Sequence, residues 1–160
     1  EVVYIHSNLI EPLGGVKNIS FDTSDRLLKC IISEIENTAS IFMTAAVSDF
    51  TVNKSDGKIS RNNGKIQLEL KPNKDIIKSV KLQFPHVTCI AFSAQINDDL
   101  NFEKLKSKNI DYLVINNILK NNFGSENNKI SIIDHDQLIY KSDTLNKYEI
   151  AKTILTKLKY

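Results

Sequence analysis

Short apolar runs, each too brief for a helix, recur along this chain with amphipathic stretches between them. Four are Val2-Val3-Tyr4-Ile5-His6, Ile41-Phe42-Met43-Thr44-Ala45, Val87-Thr88-Cys89-Ile90-Ala91-Phe92 and Asp111-Tyr112-Leu113-Val114-Ile115. Such runs predict strands, and a run apolar at successive positions suits a parallel strand buried on both faces. The stretches between them carry helical periodicity. Thr23 or Ser24 caps a helix with Leu27, Leu28, Ile31, Ile32 and Ile35 on one face. Asp75 opens a short helix carrying Ile76, Ile77 and Val80, which Pro85 stops. Phe102 and Leu105 lie on a third helix. The alternation predicts a Rossmann-like α/β fold: an open, mostly parallel sheet with helices on both faces.

The tail departs from that rhythm. Residues 129–133 and 137–140 are strand runs joined through Asp134-His135-Asp136, which predicts an antiparallel hairpin. A final amphipathic helix is expected after Asp143-Thr144, with Leu145, Tyr148, Ala151, Ile154, Leu155 and Leu158 on its stripe. Asn63-Gly64 predicts another hairpin, because both positions accept a positive φ. It would join Lys58-Ile59-Ser60 to residues 65–70, and the short, polar first arm has the character of a flap.

The chain's 160 residues suit a single domain, residues 1–160, with a real core. A net charge of +2 gives no general pull toward nucleic acid or membrane. No apolar run approaches the ~20 residues of a membrane span, and a cytoplasmic location is expected. Apart from Arg26 and Arg61 the basic residues are all lysines, so phosphate handling falls to lysines and backbone N–H groups. Cys30 and Cys89 read as buried, reduced thiols without metal-ligand spacing. His6, His86 and His135 form no triad or metal pattern. The chain opens inside a strand-like run, which leads us to expect sequence upstream.

In open α/β sheets, ligands bind outside the carboxyl ends of the strands. Four stretches fall there: residues 44–49, 71–75, 92–95 and 115–117. Ala45 and Ala46 would let a flat group approach the backbone. Asn73-Lys74-Asp75 precedes a helix start, where free N–H groups favour an anion. Lys104 and Lys108, four residues apart, share a helix face, and Lys58 on the flap could close over a phosphate. Each feature also has an ordinary reading, as tight packing, a helix cap or a solvated lysine pair. There is no GxGxxG or Walker A pattern. The residues alone indicate an α/β domain that takes a nucleotide or another phosphate ligand.

Taken in order, Ala45-Ala46-Val47-Ser48-Asp49-Phe50, Lys58-Ile59, Leu68-Glu69-Leu70-Lys71 with Asn73 and Asp75-Ile76, Phe92, Lys104-Leu105, Lys108-Asn109-Ile110-Asp111, Asn116 and residues 123–128 do more. The series resembles the phosphopantothenoylcysteine synthetase (phosphopantothenate–cysteine ligase) domain of the bacterial bifunctional coenzyme A biosynthesis protein. The resemblance implies a ligase that uses CTP, 4'-phosphopantothenate and L-cysteine as small-molecule partners. The phosphopantothenate carboxylate attacks the α-phosphate of CTP to give an acyl-cytidylate and pyrophosphate; the cysteine amine then displaces CMP. It further implies Mg²⁺ accompanying the CTP, a homodimer, and FMN only on a separate upstream decarboxylase domain. By matched position, Met43, Thr44 and Ala45 would present backbone to the cytosine and Asp49 would hold the nucleotide. Lys74, Asp75, Ile76 and Ile77 would line the triphosphate, Phe92 would pack on the nucleotide, and Lys104 and Lys108 would neutralise phosphates. Lys58 would be the catalytic flap lysine.

Departures stand beside these matches. Lys74 replaces a proline, Gln95 and Asn117 replace carboxylates, and Ser60 replaces the second flap lysine. Nothing matches the Gly-rich and Ser-Asn segments with which such domains begin, so a domain lacking its N-terminal βα unit is expected, able to bind CTP but poor as a ligase alone. The alternatives are an NAD(P)-dependent oxidoreductase-like domain and a non-catalytic nucleotide-binding or regulatory module.

Overall fold

The computed structural model describes residues 1–52, 57, 64–65, 67–118 and 125–160. At its centre a five-stranded sheet runs in the order β10 (Leu138–Lys141), β9 (Ile130–Ile133), β7 (Tyr112–Asn117), β6 (Thr88–Gln95) and β3 (Ser40–Met43). Strands β3, β6 and β7 are parallel. Strands β9 and β10 extend the sheet antiparallel from β7. The tail hairpin is thus an extension of the sheet edge. Outside this sheet lie a parallel pair, β1 (Val3–Ser7) with β2 (Lys17–Phe21), and an antiparallel ribbon, β4 (Phe50–Val52) with β5 (Leu70–Pro72). A short pairing joins β8 (Asn127–Asn128) to β11 (Leu145–Asn146).

Side chains alternate across the sheet, and that alternation builds two cores. On one face, Cys89, Ala91, Leu113, Ile115 and Ile133 pack with Leu27 and Ile31 of α1 (Ser24–Glu34), Ile76, Ile77 and Val80 of α2 (Ile76–Gln83) and Leu105 of α3 (Phe102–Lys108). On the other, Ile90, Val114, Ile130 and Ile132 meet Ile150, Ile154 and Leu158 from α4 (Lys147–Lys157) and its C-terminal end. Three helices therefore cover one face and one covers the other, as the alternating pattern predicts.

Each helix start carries a side-chain cap, which satisfies N–H groups that have no intrahelical partner. Thr23 caps α1, Asp75 caps α2 and Asn101 caps α3. Asn146 and Glu149 form a reciprocal capping box at α4. The expected phase of α4 needs correction. Tyr148 is 73% exposed, and Ala151 and Leu155 also face solvent. Ile154 and Leu158 of the expected stripe are buried and Leu145 packs against the same core, while Ile150, outside that stripe, is the buried residue of the first turns. The capping box fixes where the helix begins and hence which residues face the sheet.

The Asn63-Gly64 hairpin, with Lys58, Ile59 and Ser60, lies outside the described residues apart from Gly64. Of its expected second arm, only Leu70 belongs to a described strand, β5. Among the described residues no helix is long and apolar enough to cross a membrane.

Candidate functional site

Strand β3 stops early. Met43 lies opposite Ala91, while β6 runs on to Gln95, so the end of β6 has no β3 partner. The chain leaves β3 in a bend, with the Thr44 N–H donating to the Phe42 carbonyl at 3.1 Å, and exposes Ala45 and Ala46. It returns through the β4–β5 ribbon to Asn73, which leads into the N-terminus of α2. Helix α3, packed on the same sheet face through Leu105, brings Lys104 and Lys108 alongside. These elements enclose a cleft of about 260 Å³.

Three lysines and two aspartates line it: Lys74, Lys104 and Lys108 against Asp49 and Asp75. The Lys104 ammonium donates to the Ser93 hydroxyl at 2.9 Å, and that hydroxyl is buried on β6. Lys108 pairs with the Asp75 carboxylate. The same carboxylate accepts the Lys78 backbone N–H at 3.2 Å and so caps α2. Both lysines are half-buried and held by partners from other elements, an anchoring that a freely solvated pair lacks. The first turn of α2 adds N–H groups that favour negative charge. One wall thus suits an anion. The other, at Ala45 and Ala46, has too little side-chain bulk to keep a flat group from the backbone.

Of the residues expected at a site, Met43, Ala45, Asp49, Lys74, Asp75, Ile76, Ile77, Phe92, Lys104 and Lys108 all line this one cleft. Ile76 and Ile77 are only 3% and 6% exposed, so they can offer little beyond main chain. Thr44 is not among the lining residues, and Lys58 lies outside the described ones. Ala46, Val47, Ser48, Asn73 and Ala91 also line the cleft. All but Ala91 belong to the stretches 44–49 and 71–75 expected at the strand ends, and for Ala91 its adjacency to Phe92 was the available signal.

The amides that stand where carboxylates were expected have work elsewhere. Gln95 Nε2 donates to the Asp99 carbonyl at 2.7 Å, and Asn117 Nδ2 donates to Asp98 Oδ1 at 2.9 Å, so both hold the loop after β6. Among the described residues no group of three or more His, Cys, Asp or Glu side chains could hold a metal ion. A broader groove of about 360 Å³ runs along α4 beside Tyr140. It gathers none of the predicted residues and lies across the sheet from α2 and α3.

The whole chain, residues 1–160, matches the family described as DFP, the DNA/pantothenate metabolism flavoprotein C-terminal domain. It is 34% identical over 122 residues to a cysteine/cysteine sulfinic acid decarboxylase from an unknown prokaryotic organism, a match covering 72% of this chain and 34% of that protein. It is 34% identical over 164 residues to the coenzyme A biosynthesis bifunctional protein CoaBC of Thermococcus kodakarensis, covering 96% of this chain and 40% of that one. The chain therefore spans well under half the length of these relatives. Among solved structures it is similar to the C-terminal domain of CoaBC, with a TM-score of 0.76 at 22% identity, covering 99% of this chain and 75% of that one. It is also similar to Cab2 mutant H337A in complex with phosphopantothenate-cysteine, with a TM-score of 0.66 at 16% identity, covering 90% and 53%. At these identities the structures speak for the fold.

Proposed function

The chain belongs to the family of the DNA/pantothenate metabolism flavoprotein C-terminal domain, and we propose that it serves coenzyme A biosynthesis as the nucleotide-binding part of a CTP-dependent phosphopantothenate–cysteine ligase. One observation carries the reading: lysines with a helix start, and a pair of exposed alanines, brought from four separate segments, line a single cleft. A nucleoside triphosphate has complementary parts, a flat base and a polyanionic tail.

In this reading the cytosine lies against Ala45 and Ala46, where main-chain groups can pair with its edge. The triphosphate extends toward Lys74, the first turn of α2, Lys104 and Lys108. The phosphopantothenate carboxylate attacks the α-phosphorus, and the bond to the pyrophosphate oxygen breaks. The cysteine amine then attacks the acyl carbon of the resulting acyl-cytidylate, and CMP leaves with the bonding electron pair. Negative charge shifts on phosphate oxygens during the first step, so lysines fixed in advance lower that barrier. A Mg²⁺ ion accompanying CTP would supply further charge neutralisation at the phosphates. Asp75 is already committed to Lys108 and the α2 cap, which leaves Asp49 as the cleft carboxylate without such a commitment among the described residues.

Lys58 is the proposed flap lysine. In a chain extended upstream, its replacement by alanine is expected to lower kcat by about 10²-fold or more, the scale for losing a preorganised transition-state donor. A homodimer belongs to the same reading and is tested by sedimentation.

Calorimetric titration of the chain with CTP and, separately, with NADPH tests the assignment. Saturable binding of CTP with no binding of NADPH is expected. Binding of NADPH alone would overturn the reading in favour of an oxidoreductase-like domain.

A further inference from the structure

Asn73 sits at the junction between the two walls of the cleft. Its backbone N–H donates to the Asp49 carbonyl at 2.8 Å. Its side-chain Nδ2 donates to the Ser48 carbonyl at 3.0 Å. Its Oδ1 accepts from the Lys74 N–H at 3.0 Å and from the Ser24 hydroxyl at 3.2 Å. A side-chain amide offers two donors and one oxygen with two lone pairs, so both acceptor positions are occupied.

The partners are spread across the fold. Ser48 and Asp49 belong to the segment that leaves β3 without regular secondary structure, Lys74 leads into α2, and Ser24 starts α1. A segment outside any strand or helix takes its position from such bonds. Asn73, directly beyond the β4–β5 ladder, thus bonds at once to the segment presenting Ala45 and Ala46 and to the helix start presenting Lys74 and Asp75.

We propose that Asn73 is a positioning residue that sets the separation of the base-facing and phosphate-facing walls, an inference that rests on the reading of the cleft as a CTP site. A ligand that spans both walls senses their separation, whereas a ligand that touches only one does not. Losing Asn73 should penalise CTP far more than pyrophosphate.

The test compares CTP and inorganic pyrophosphate binding by calorimetry in the wild-type chain, Asn73→Ala and Ser24→Ala, with thermal melting as the check on folding. Asn73→Ala removes side-chain bonds to three partners and is expected to weaken CTP about tenfold while pyrophosphate changes less than about twofold. Ser24→Ala removes one bond and is expected to weaken CTP about two- to threefold, which keeps the test decisive even if Asn73→Ala does not fold. Unchanged CTP affinity in the folded variants would overturn the positioning role alone. So would an equal loss for pyrophosphate, since damage to the helix start would produce it. A wild-type chain that does not bind CTP would overturn the site assignment and this inference together.

Discussion

The Lys81 ammonium lies 2.8 Å from the Asp111 carboxylate, and it also donates to the carbonyls of Pro85 and Val87, each at 2.9 Å. Asp111 in turn accepts the Cys89 backbone N–H at 2.7 Å. The pair therefore ties α2 to the starts of β6 and β7, the strands beneath the cleft. Lys81 is only 9% exposed, so removing it leaves a carboxylate and two carbonyls short of a partner. Lys81→Ala should cost about 3 kcal/mol, at the low end for a broken buried ion pair because the Asp111 side chain is partly exposed. Urea denaturation measures this, and a loss below about 1 kcal/mol would mean that the pair behaves like an exposed one.

Cys89 should be chemically quiet in the folded protein. Burial raises its thiol pKa from the usual 9.0 to about 11, with Asp111 adding to the rise and Lys81 opposing it. At neutral pH the thiolate fraction is then negligible, and the thiolate is the nucleophile. Alkylation by iodoacetamide should be slow at Cys89 until denaturant is added. The sign for stability follows from the same shift. The unfolded chain loses this proton more easily than the folded one, so the contribution is whole below about 9 and is lost as pH rises through about 11. Rapid alkylation of Cys89 in the native protein would contradict this.

Lys104→Ala and Lys108→Ala should each weaken CTP binding about tenfold or more at low salt, the range for a charge-assisted contact. Added salt should narrow the difference between variant and wild type, because it screens the interaction that has been removed. Equal CTP affinity at low ionic strength would remove that lysine from the site.

The corrected stripe of α4 makes a paired prediction. Ile150, 8% exposed, packs under the helix against the sheet, whereas Tyr148 is 73% exposed. Ile150→Ala should cost about 2–4 kcal/mol through lost burial and the cavity left behind. Tyr148→Ser should stay within about 0.5 kcal/mol. Thermal or urea unfolding of both variants decides, and the reverse order would restore the stripe expected from periodicity.

The central strands were legible because β6 and β7 are buried on both faces and β3, at the sheet edge, is half-buried on both, so all three are apolar at successive positions. The helices α1 and α2 were legible because their caps, Thr23 and Asp75, precede clear apolar faces, and α3 was legible from Phe102 and Leu105, its Asn101 cap being found only in the structure. Strand β2 was not, since Lys17, Asn18 and Ser20 give it a polar look. Asn18 is there to bind the loop before it, through Leu13 and Val16. The Lys81–Asp111 pair was hidden for a related reason: a lysine on a short amphipathic helix reads as solvent-facing until the tertiary fold brings Asp111 to it. Within the cleft, Lys104 and Lys108 could be predicted as a same-face pair. That Ser93 would anchor one and Asp75 the other depends on how α3 lies against β6 and α2, which no local pattern encodes.

The most direct test of the account is an amide NMR titration of the chain with CTP. It predicts that signals of Ala45, Asp49, Lys74, Ile77 and Phe92 shift together and saturate, while those of Tyr140, Thr153 and Lys157 along α4 stay in place. Shifts confined to the α4 groove, or none at all, would contradict the claim that this cleft is the nucleotide site.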